Sequence, residues 1–245
     1  MNTMVSDPSK AWQMKSERPF GIIGDTQAQH SGSKVHSPTS LWLPQFKHYS
    51  GFFPLGIHNA RVIYQSASHH DPSVYGKDFQ FVDALVPLRK SLPSPVSFLI
   101  AAFTSIMAKF FVTLVIRFAF IRSMVARSSP AGTGPSEQAR NNGFLDLRNL
   151  VVGYDAAGKP QAAALATWTA KRADPGYLMT SRLSTEVSLF LALDAAKTNV
   201  KPGARTAASL GDAGLERLVQ RLEQNSKVSI GVQDWKGGLS GVRKL

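Results

Sequence analysis

The sequence contains no cysteine, and this absence removes several classes of chemistry. Without thiols the chain forms no disulfides, holds no metal through thiolates and has no cysteine nucleophile. A chain without cysteine suits a reducing compartment, so we expect a cytoplasmic protein. Residues Met1 to Gln13 also lack the apolar core of a secretory signal peptide, which points the same way.

The sequence is equally poor in patterns that bind metals or perform catalysis. Adjacent His69 and His70, with His58 and Asp71, are the strongest candidates for metal ligands. Neighbouring side chains diverge on a helix or a strand, however, so they rarely serve one ion. No serine is set in an elbow motif, and no carboxylate pair stands at helical spacing in an apolar setting. The residues therefore predict no metal site and identify no catalytic group.

Glycine-rich loops of the kind that hold a dinucleotide are also lacking. Gly132-Thr-Gly134 is a G-x-G, but no third glycine follows and Pro135 stands where a helix should open. Phe20-Gly-Ile-Ile-Gly24 fails for the same reasons. A pyrophosphate is bound where a strand, a tight turn and a helix follow one another, because only then do backbone N–H groups face it. We therefore predict no cofactor-binding residue in this chain.

Acidic residues are few, with 16 Asp and Glu against 28 Lys and Arg, which gives a formal net charge of +12. Such a balance invites comparison with nucleic-acid-binding proteins. The basic residues are spread along the chain, with no run longer than a pair and no helix-turn-helix, RRM or zinc signature. We expect no nucleic-acid partner. Attraction to the anionic headgroups of a lipid surface is a more specific use of the charge.

Large apolar residues are abundant between Val96 and Arg127, and their spacing predicts a long hydrophobic helix over 96–127. Side chains at three- and four-residue steps define one bulky face: Leu99, Phe103, Ile106, Phe110, Leu114, Phe118 and Ile121. The opposite side carries smaller or polar residues: Ser97, Ala101, Ser105, Ala108, Lys109, Val112 and Ala119.

The pattern leaves three alternatives for this helix. It is a core helix of the domain, a helix lying in a membrane interface, or a full membrane span. Its length suits a span, but Lys109 falls well inside the segment and counts against one. Arg117, Arg122 and Arg127 stand towards the C-terminal end, where cations suit both the helix dipole and lipid headgroups.

The rest of the chain divides around this helix. Residues 1–40 are polar and irregular, and residues 41–95 are rich in aromatic side chains. Within 41–95, Phe79 and Phe81 alternate with polar residues, as in a short strand. Residues 132–235 predict an α+β domain, and residues 236–245 form a tail.

Within 132–235 the pattern predicts a short helix at Ser136–Arg140 that stops at Gly143, and then a long hairpin of 144–154 with 161–171. Asp174 and Pro175 begin a helix that carries Leu183, Val187 and Phe190. Ser209 and Asp212 resemble a capping box for a second helix with Leu215, Leu218 and Leu222. A last strand alternates Val228, Ile230 and Val232. The predicted fold class is therefore α+β, an antiparallel or mixed sheet with flanking helices and one long hydrophobic helix.

Three segments of the chain carry a family resemblance: Gly132-Thr-Gly-Pro-Ser-Glu-Gln-Ala-Arg140, Asp174-Pro-Gly-Tyr177 and Ser209-Leu-Gly-Asp212. In this order and spacing they resemble the later part of saccharopine dehydrogenase-like oxidoreductases, and most of all the branch that includes trans-acting enoyl reductases. Earlier segments extend the resemblance: Trp42-Leu-Pro44, Phe53 to Arg61 with Ser66, and Tyr75 to Phe79. Val62-Ile-Tyr-Gln-Ser66 departs from it, because the family is rich in arginine there.

The resemblance implies an NAD(P)-dependent oxidoreductase. The best-known activity of the branch is enoyl reduction of a polyketide or lipid acyl chain, in lipid or secondary metabolism. A polyketide synthase or a second copy of the chain would be its partner. The family's N-terminal Rossmann domain has no counterpart here, so we expect a truncated chain that binds no NAD(P) alone. The alternative is a non-catalytic, membrane-associated remnant or accessory subunit.

Overall fold

The computed structural model describes residues 35–36, 40–43, 46–70, 72–76, 79–86, 94–128, 130, 132–203 and 205–237. These residues fall into two compact units, divided after Pro130. The fold class is α+β, as the sequence predicts, with small sheets, several helices and one long apolar helix. The predictions for residues 20–24, for Asp71 and for most of 1–40 and of 236–245 lie outside the described residues.

Within the described residues, the first unit contains short strands and four helices. Its elements are β1 (Val35–His36), β2 (Ser40–Leu43), β3 (His48–Phe52), α1 (Gly56–Ser68), α2 (Pro72–Tyr75), β4 (Phe81–Val82), β5 (Ala84–Leu85), α3 (Ser94–Arg117) and α4 (Ala119–Ser128). Strands β2, β3 and β5 form an antiparallel sheet in the order β2-β3-β5. Strands β1 and β4 pair in parallel.

A small aromatic cluster holds α1 in the first unit. Ala60 and Tyr64 are fully buried, and Phe79 and Phe81 pack against them. The backbone N–H of Phe81 donates to the Tyr64 hydroxyl at 3.1 Å, so the phenol keeps a polar partner inside the cluster. Aromatic residues of the 41–95 region thus fix α1 against β4.

The predicted helix over 96–127 consists of two helices, α3 and α4, which are interrupted at Phe118. Arg122 Nη1 donates to the carbonyl oxygens of Val115 at 3.2 Å and Ile116 at 2.8 Å. These are among the last carbonyls of α3, which have no partner within the helix, so the guanidinium acts as a C-terminal cap. The sequence pattern did not show this break because apolar residues continue through it.

The second unit is built on a three-stranded antiparallel sheet. Its elements are α5 (Glu137–Asn142), β6 (Phe144–Tyr154), β7 (Pro160–Lys171), a π-helical turn (Pro175–Met179), α6 (Thr180–Leu193), α7 (Asp212–Asn225) and β8 (Val228–Asp234). Strand β7 lies between β6 and β8. The register of the hairpin runs from Phe144 opposite Lys171 to Tyr154 opposite Pro160, so the predicted hairpin is confirmed.

Helices α6 and α7 pack on one face of this sheet, as the sequence pattern predicts. Phe190, Leu218 and Leu222 are buried there, and Leu183, Val187, Trp168 and Ile230 pack around them. Trp168 and Ile230 stand opposite each other on β7 and β8, so their side chains share a face of the sheet. Leu215 differs from the prediction, because its side chain is exposed.

The helix starts of the second unit follow the sequence signals in two cases out of three. Ser136 caps α5 by accepting the N–H of Ala139, and Asp174 caps the Pro175–Met179 turn. The predicted capping box of Ser209 with Asp212 is wrong. Ser209 Oγ accepts the N–H of Thr206 at 3.0 Å, three residues earlier, and closes a 3₁₀ turn. Gly211, at φ +80°, then begins α7 without a side-chain cap.

Candidate functional site

The side of α3 that points away from the sheet is apolar and exposed. Leu99 and Phe103 keep 65% and 67% of their surface accessible, and Ile106 and Phe110 keep more than half. We call these four side chains the outer face of α3. They belong to the bulky face that the sequence pattern defines. The structure therefore leaves uncovered, within the described residues, the face that a core helix would bury.

The buried side of α3 consists of small residues. Ser97, Ala101 and Ser105 recur at four-residue steps and are buried against β3. The backbone N–H of Tyr49 donates to Ser97 Oγ at 3.2 Å, and that of Phe52 donates to Ser105 Oγ at 2.7 Å. The serine hydroxyls therefore replace strand partners for two N–H groups of β3.

Small residues are required here because the strand and the helix come very close. A Cβ atom added at Gly51 would lie 3.0 Å from Ser105 Oγ and 3.3 Å from the Ala101 carbonyl oxygen. Large side chains at these positions of α3 would push the strand away. The same constraint turns the phenylalanines outward, because they stand on the opposite side of the same helix.

The charges along α3 and α4 have a single sign. Residues 94–128 contain Lys109, Arg117, Arg122 and Arg127 and no acidic residue. Arg117 and Arg127 are exposed, whereas Arg122 is engaged with the carbonyls at the end of α3. The Lys109 ammonium lies 5.1 Å from the centre of the Phe52 ring, at the side of the helix that faces β3.

Among the described residues, α3 is the helix that is long and apolar enough to cross a bilayer by length and composition. Only 11% of its most apolar 18-residue window is buried within the protein. Because of the length of α3, its exposed phenylalanines and the exclusively positive charge of both helices, α3 and α4 are the first candidate for a functional surface.

Two of the motif segments that carry the family resemblance meet in the second unit. A Cβ atom added at Gly134 would lie 3.2 Å from the Tyr177 ring, and one added at Gly143 would overlap the backbone of Asp174. The N–H of Asp174 also donates to the Arg140 carbonyl at 2.9 Å. The Gly132–Arg140 and Asp174–Tyr177 segments therefore form one corner, and Gly134 within the first segment and Gly143 just beyond it allow the close packing.

The Asp174 carboxylate serves this corner as a cap. Its two oxygens accept the backbone N–H groups of Tyr177 at 2.8 Å and Leu178 at 3.0 Å. The hydrogen bond from Leu178 is the main cause that holds the pKa of Asp174 below its usual value, with further lowering from Tyr177 and the nearby Arg140. The segment Gly132 to Gly134 itself follows α4 and precedes α5, so it does not join a strand to a helix.

A buried ion cluster joins α6 to α7. Arg221 donates to Glu186 Oε2 at 2.9 Å and to Asp194 Oδ2 at 3.0 Å, and Asn225 donates to the same Glu186 oxygen at 3.0 Å. Burial alone would raise the pKa of the Asp194 carboxyl, but Arg217 and Arg221 outweigh it and hold that pKa below its usual value. Both buried carboxylates of the cluster are paired with Arg221, and these ion pairs tie the two helices together.

The histidines singled out in the sequence do not form a ligand set. His58 lies on α1, and His69 and His70 follow its last turn, where the His70 ring packs 5.5 Å from that of Tyr75. No three His, Asp or Glu side chains of the described residues converge as metal ligands.

Sequence reasoning missed two arrangements of side chains. The serine stripe of α3 was visible as Ser97, Ala101 and Ser105 at four-residue spacing, but nothing in the pattern showed that β3 would lie against it. The Glu186, Asp194 and Arg221 cluster depends on the helix pairing, since its members are up to 35 residues apart.

Comparisons with known proteins give one likeness of limited extent. Two proteins of Mycobacterium tuberculosis, from strains H37Rv and CDC 1551, are each 40% identical to the chain over 99 residues, and both are named provisionally as trans-acting enoyl reductases. The match covers 40% of this chain and 22% of the length of each relative. No family model matches the chain, and no solved structure gives a significant match.

Proposed function

We propose that this chain takes part in NAD(P)H-dependent enoyl reduction, as a piece of a saccharopine dehydrogenase-like protein of the trans-acting enoyl reductase branch. Its substrate class is a polyketide or lipid acyl chain with a carbon–carbon double bond next to the thioester. Its partner is a polyketide synthase or a second copy of the chain. The 40% identity to the mycobacterial proteins over 99 residues is the observation that carries this proposal.

A contact between two of the motif segments is the structural observation that supports the proposal. Segments that resemble one family in sequence order also pack on each other, through Gly134 with Tyr177 and through the hydrogen bond from the Asp174 N–H to the Arg140 carbonyl. The roles that these contacts support are caps and close packing. We propose that the hydride chemistry belongs to a nucleotide-binding domain and that the α+β unit is the part of the protein adjoining it.

A domain exchange tests this proposal. The 99-residue segment of a mycobacterial relative is replaced by the matching segment of this chain, and a glycine-serine linker of equal length serves as the control. We expect the chimera to fold and to match the intact relative in its thermal stabilisation by added NADPH. A chimera that behaves like the linker control would contradict the proposal.

The chain alone is expected not to bind NADPH or NADH at physiological concentrations. The Gly132–Gly134 segment runs between two helices, and a pyrophosphate needs the N–H groups of a strand-to-helix turn. Isothermal titration calorimetry on the chain, run beside the full-length mycobacterial relative, measures this. Micromolar affinity would assign the cofactor to this chain itself.

A second candidate function is favoured by the outer face of α3. We propose, as the alternative, a non-catalytic chain that is held at a membrane or lipid surface as an accessory subunit. The exposed phenylalanines and the cations of α3 and α4 support this alternative, and it does not depend on a cofactor. Flotation with lipid vesicles tests this alternative, because a membrane-bound protein floats with the vesicles and a protein in solution does not.

A further inference from the structure

We propose that α3 lies flat in the headgroup region of an anionic bilayer, with its axis parallel to the membrane plane and its outer face towards the acyl chains. This inference deepens the second candidate function and rests on it. It names the lipid chemistry and the orientation, both of which follow from the contacts of α3 with β3.

The partner is identified first by charge. Exposed cations at Arg117 and Arg127 and the absence of acidic residues over 94–128 fit a surface of negative headgroups. A second copy of the chain would bring the same cations against themselves if it docked through this surface. An anionic bilayer is complementary to both features, because its acyl chains suit the apolar outer face and its headgroups suit the positive charges.

The serine stripe decides the orientation. Ser97 and Ser105 bond to the backbone of β3, so the sheet lies alongside the first half of α3. With a rise of about 1.5 Å per residue, Ser105 lies roughly 16 Å from the start of the helix, near its middle. If α3 crossed the bilayer, the sheet would reach the same depth.

A sheet at that depth would be unfavourable. Within the described residues β2 and β5 are the edges of the three-stranded sheet, and their outer N–H and C=O groups have no neighbouring strand. Open sheet edges are not stable in hydrocarbon, because each unpaired backbone group costs several kcal/mol there. With α3 in the membrane plane, the sheet lies on the side away from the lipid and its edges face water or headgroups.

Lys109 agrees with the same orientation. Its ammonium lies over the Phe52 ring, on the side of α3 that faces the sheet, and its position is in the interior of the 24-residue helix. In a span this charge would lie near the bilayer centre. In the membrane plane it lies above the acyl chains, with Phe103 and Phe110 below it.

Flotation of the full chain measures the binding. We expect it to float with vesicles of phosphatidylcholine and phosphatidylserine, and to float less at high salt or with phosphatidylcholine alone. Phe110→Glu should weaken binding about tenfold or more, from the lost burial of one large side chain. Arg117→Gln should weaken it about fivefold. The matched control Val232→Glu places the same charge on an exposed valine of the second unit and should float like the wild type.

Depth measurements test the orientation. Because the chain has no cysteine, one cysteine introduced at Leu99, Phe103, Ala108 or Phe110 gives a single site for a fluorescent label. Quenching by lipids that carry quenchers at known depths then locates each label. A helix in the membrane plane places Leu99, Phe103 and Phe110 equally deep, and Ala108, on the opposite side, shallower. This pattern supports the proposal.

Every other outcome overturns it and identifies what failed. If the depth of a label follows its position along the helix axis, with Ala108 as deep as Phe110 and Leu99 shallower, α3 spans the bilayer. The protein then associates with a membrane, but the proposed orientation is wrong. Equal flotation with neutral vesicles at high salt shows that anionic headgroups do not contribute to the binding. A wild type that stays in solution, as a monomer or as a dimer that protects Phe103, contradicts the second candidate function as well.

Discussion

Helices α3 and α6 use apolar residues in opposite ways. In α6 the large Phe190 is fully buried against α7 and the sheet, and the exposed side carries serines and threonines together with Leu189, Leu191 and Leu193. In α3 the small Ser97 and Ser105 are buried, and Phe103 is exposed. Amphipathic spacing is present in both helices. It identifies two faces but does not say which one meets the protein, and this is decided by the element that packs against the helix.

The largest expected effect compares a phenylalanine from each helix. Phe190→Ala should lower the free energy of unfolding by about 3–5 kcal/mol, because it empties a buried site between α6 and α7. Phe103→Ala should change it by about 0.5 kcal/mol or less, since that side chain is already exposed. Chemical denaturation measures both variants. A loss of 2 kcal/mol or more in Phe103→Ala, on the scale of buried leucines and phenylalanines, would show that the outer face is covered within the chain.

A smaller effect tests the buried side of α3. Ser105→Val should destabilise the first unit by about 1–3 kcal/mol, because the N–H of Phe52 loses its acceptor and the added methyl meets the close backbone of Gly51. Thr113→Val is the matched control, since Thr113 is exposed on the same helix and bonds only to its own turn at Lys109. Equal stability of the two variants would mean that the serine stripe is not what holds β3.

The sequence predicted the second unit better than the first, for a physical reason. Strands β6 and β7 are long and joined by a short turn at Asp155, and Asp174 with Pro175 is a local start signal, so neighbours in sequence decide the structure there. The contact of β3 with α3 joins residues about 50 apart in the sequence. Ser209, the predicted cap, accepts a hydrogen bond from the Thr206 N–H instead. Such choices depend on tertiary contacts that periodicity does not contain.

The candidate site was predictable only in part. The bulky face and the arginines of α3 were visible in the spacing, and the outward direction of that face was one of three alternatives. Its direction became evident only through Gly51, whose missing side chain lets β3 approach Ala101 and Ser105. The break at Phe118 depends on a side chain, Arg122, that reaches back across it.

The smallest expected effect concerns the pH dependence of the second unit. Asp194 has a folded-state pKa below its usual value because Arg217 and Arg221 outweigh the effect of burial. A carboxyl whose pKa is lowered by folding adds stability that is fully present above the unfolded pKa of about 4 and is lost as the pH falls through the folded pKa. Unfolding midpoints measured between pH 7 and pH 3 should therefore fall less steeply with pH in Asp194→Asn than in the wild type, with the difference appearing below about pH 4.

The control is Leu191→Asn, which adds an amide at an exposed position of α6 and removes no titrating group, so it should leave the pH profile of the wild type unchanged. The outer face of α3 should contribute no pH dependence to stability, because Leu99, Phe103, Ile106 and Phe110 do not titrate. Identical slopes in Asp194→Asn and the wild type would show that the Arg221 cluster ties α6 to α7 by packing alone. A flatter slope confined to Asp194→Asn would show that α6 is held by paired charges as well as by Phe190, whereas α3 is held by the neutral hydroxyls of Ser97 and Ser105.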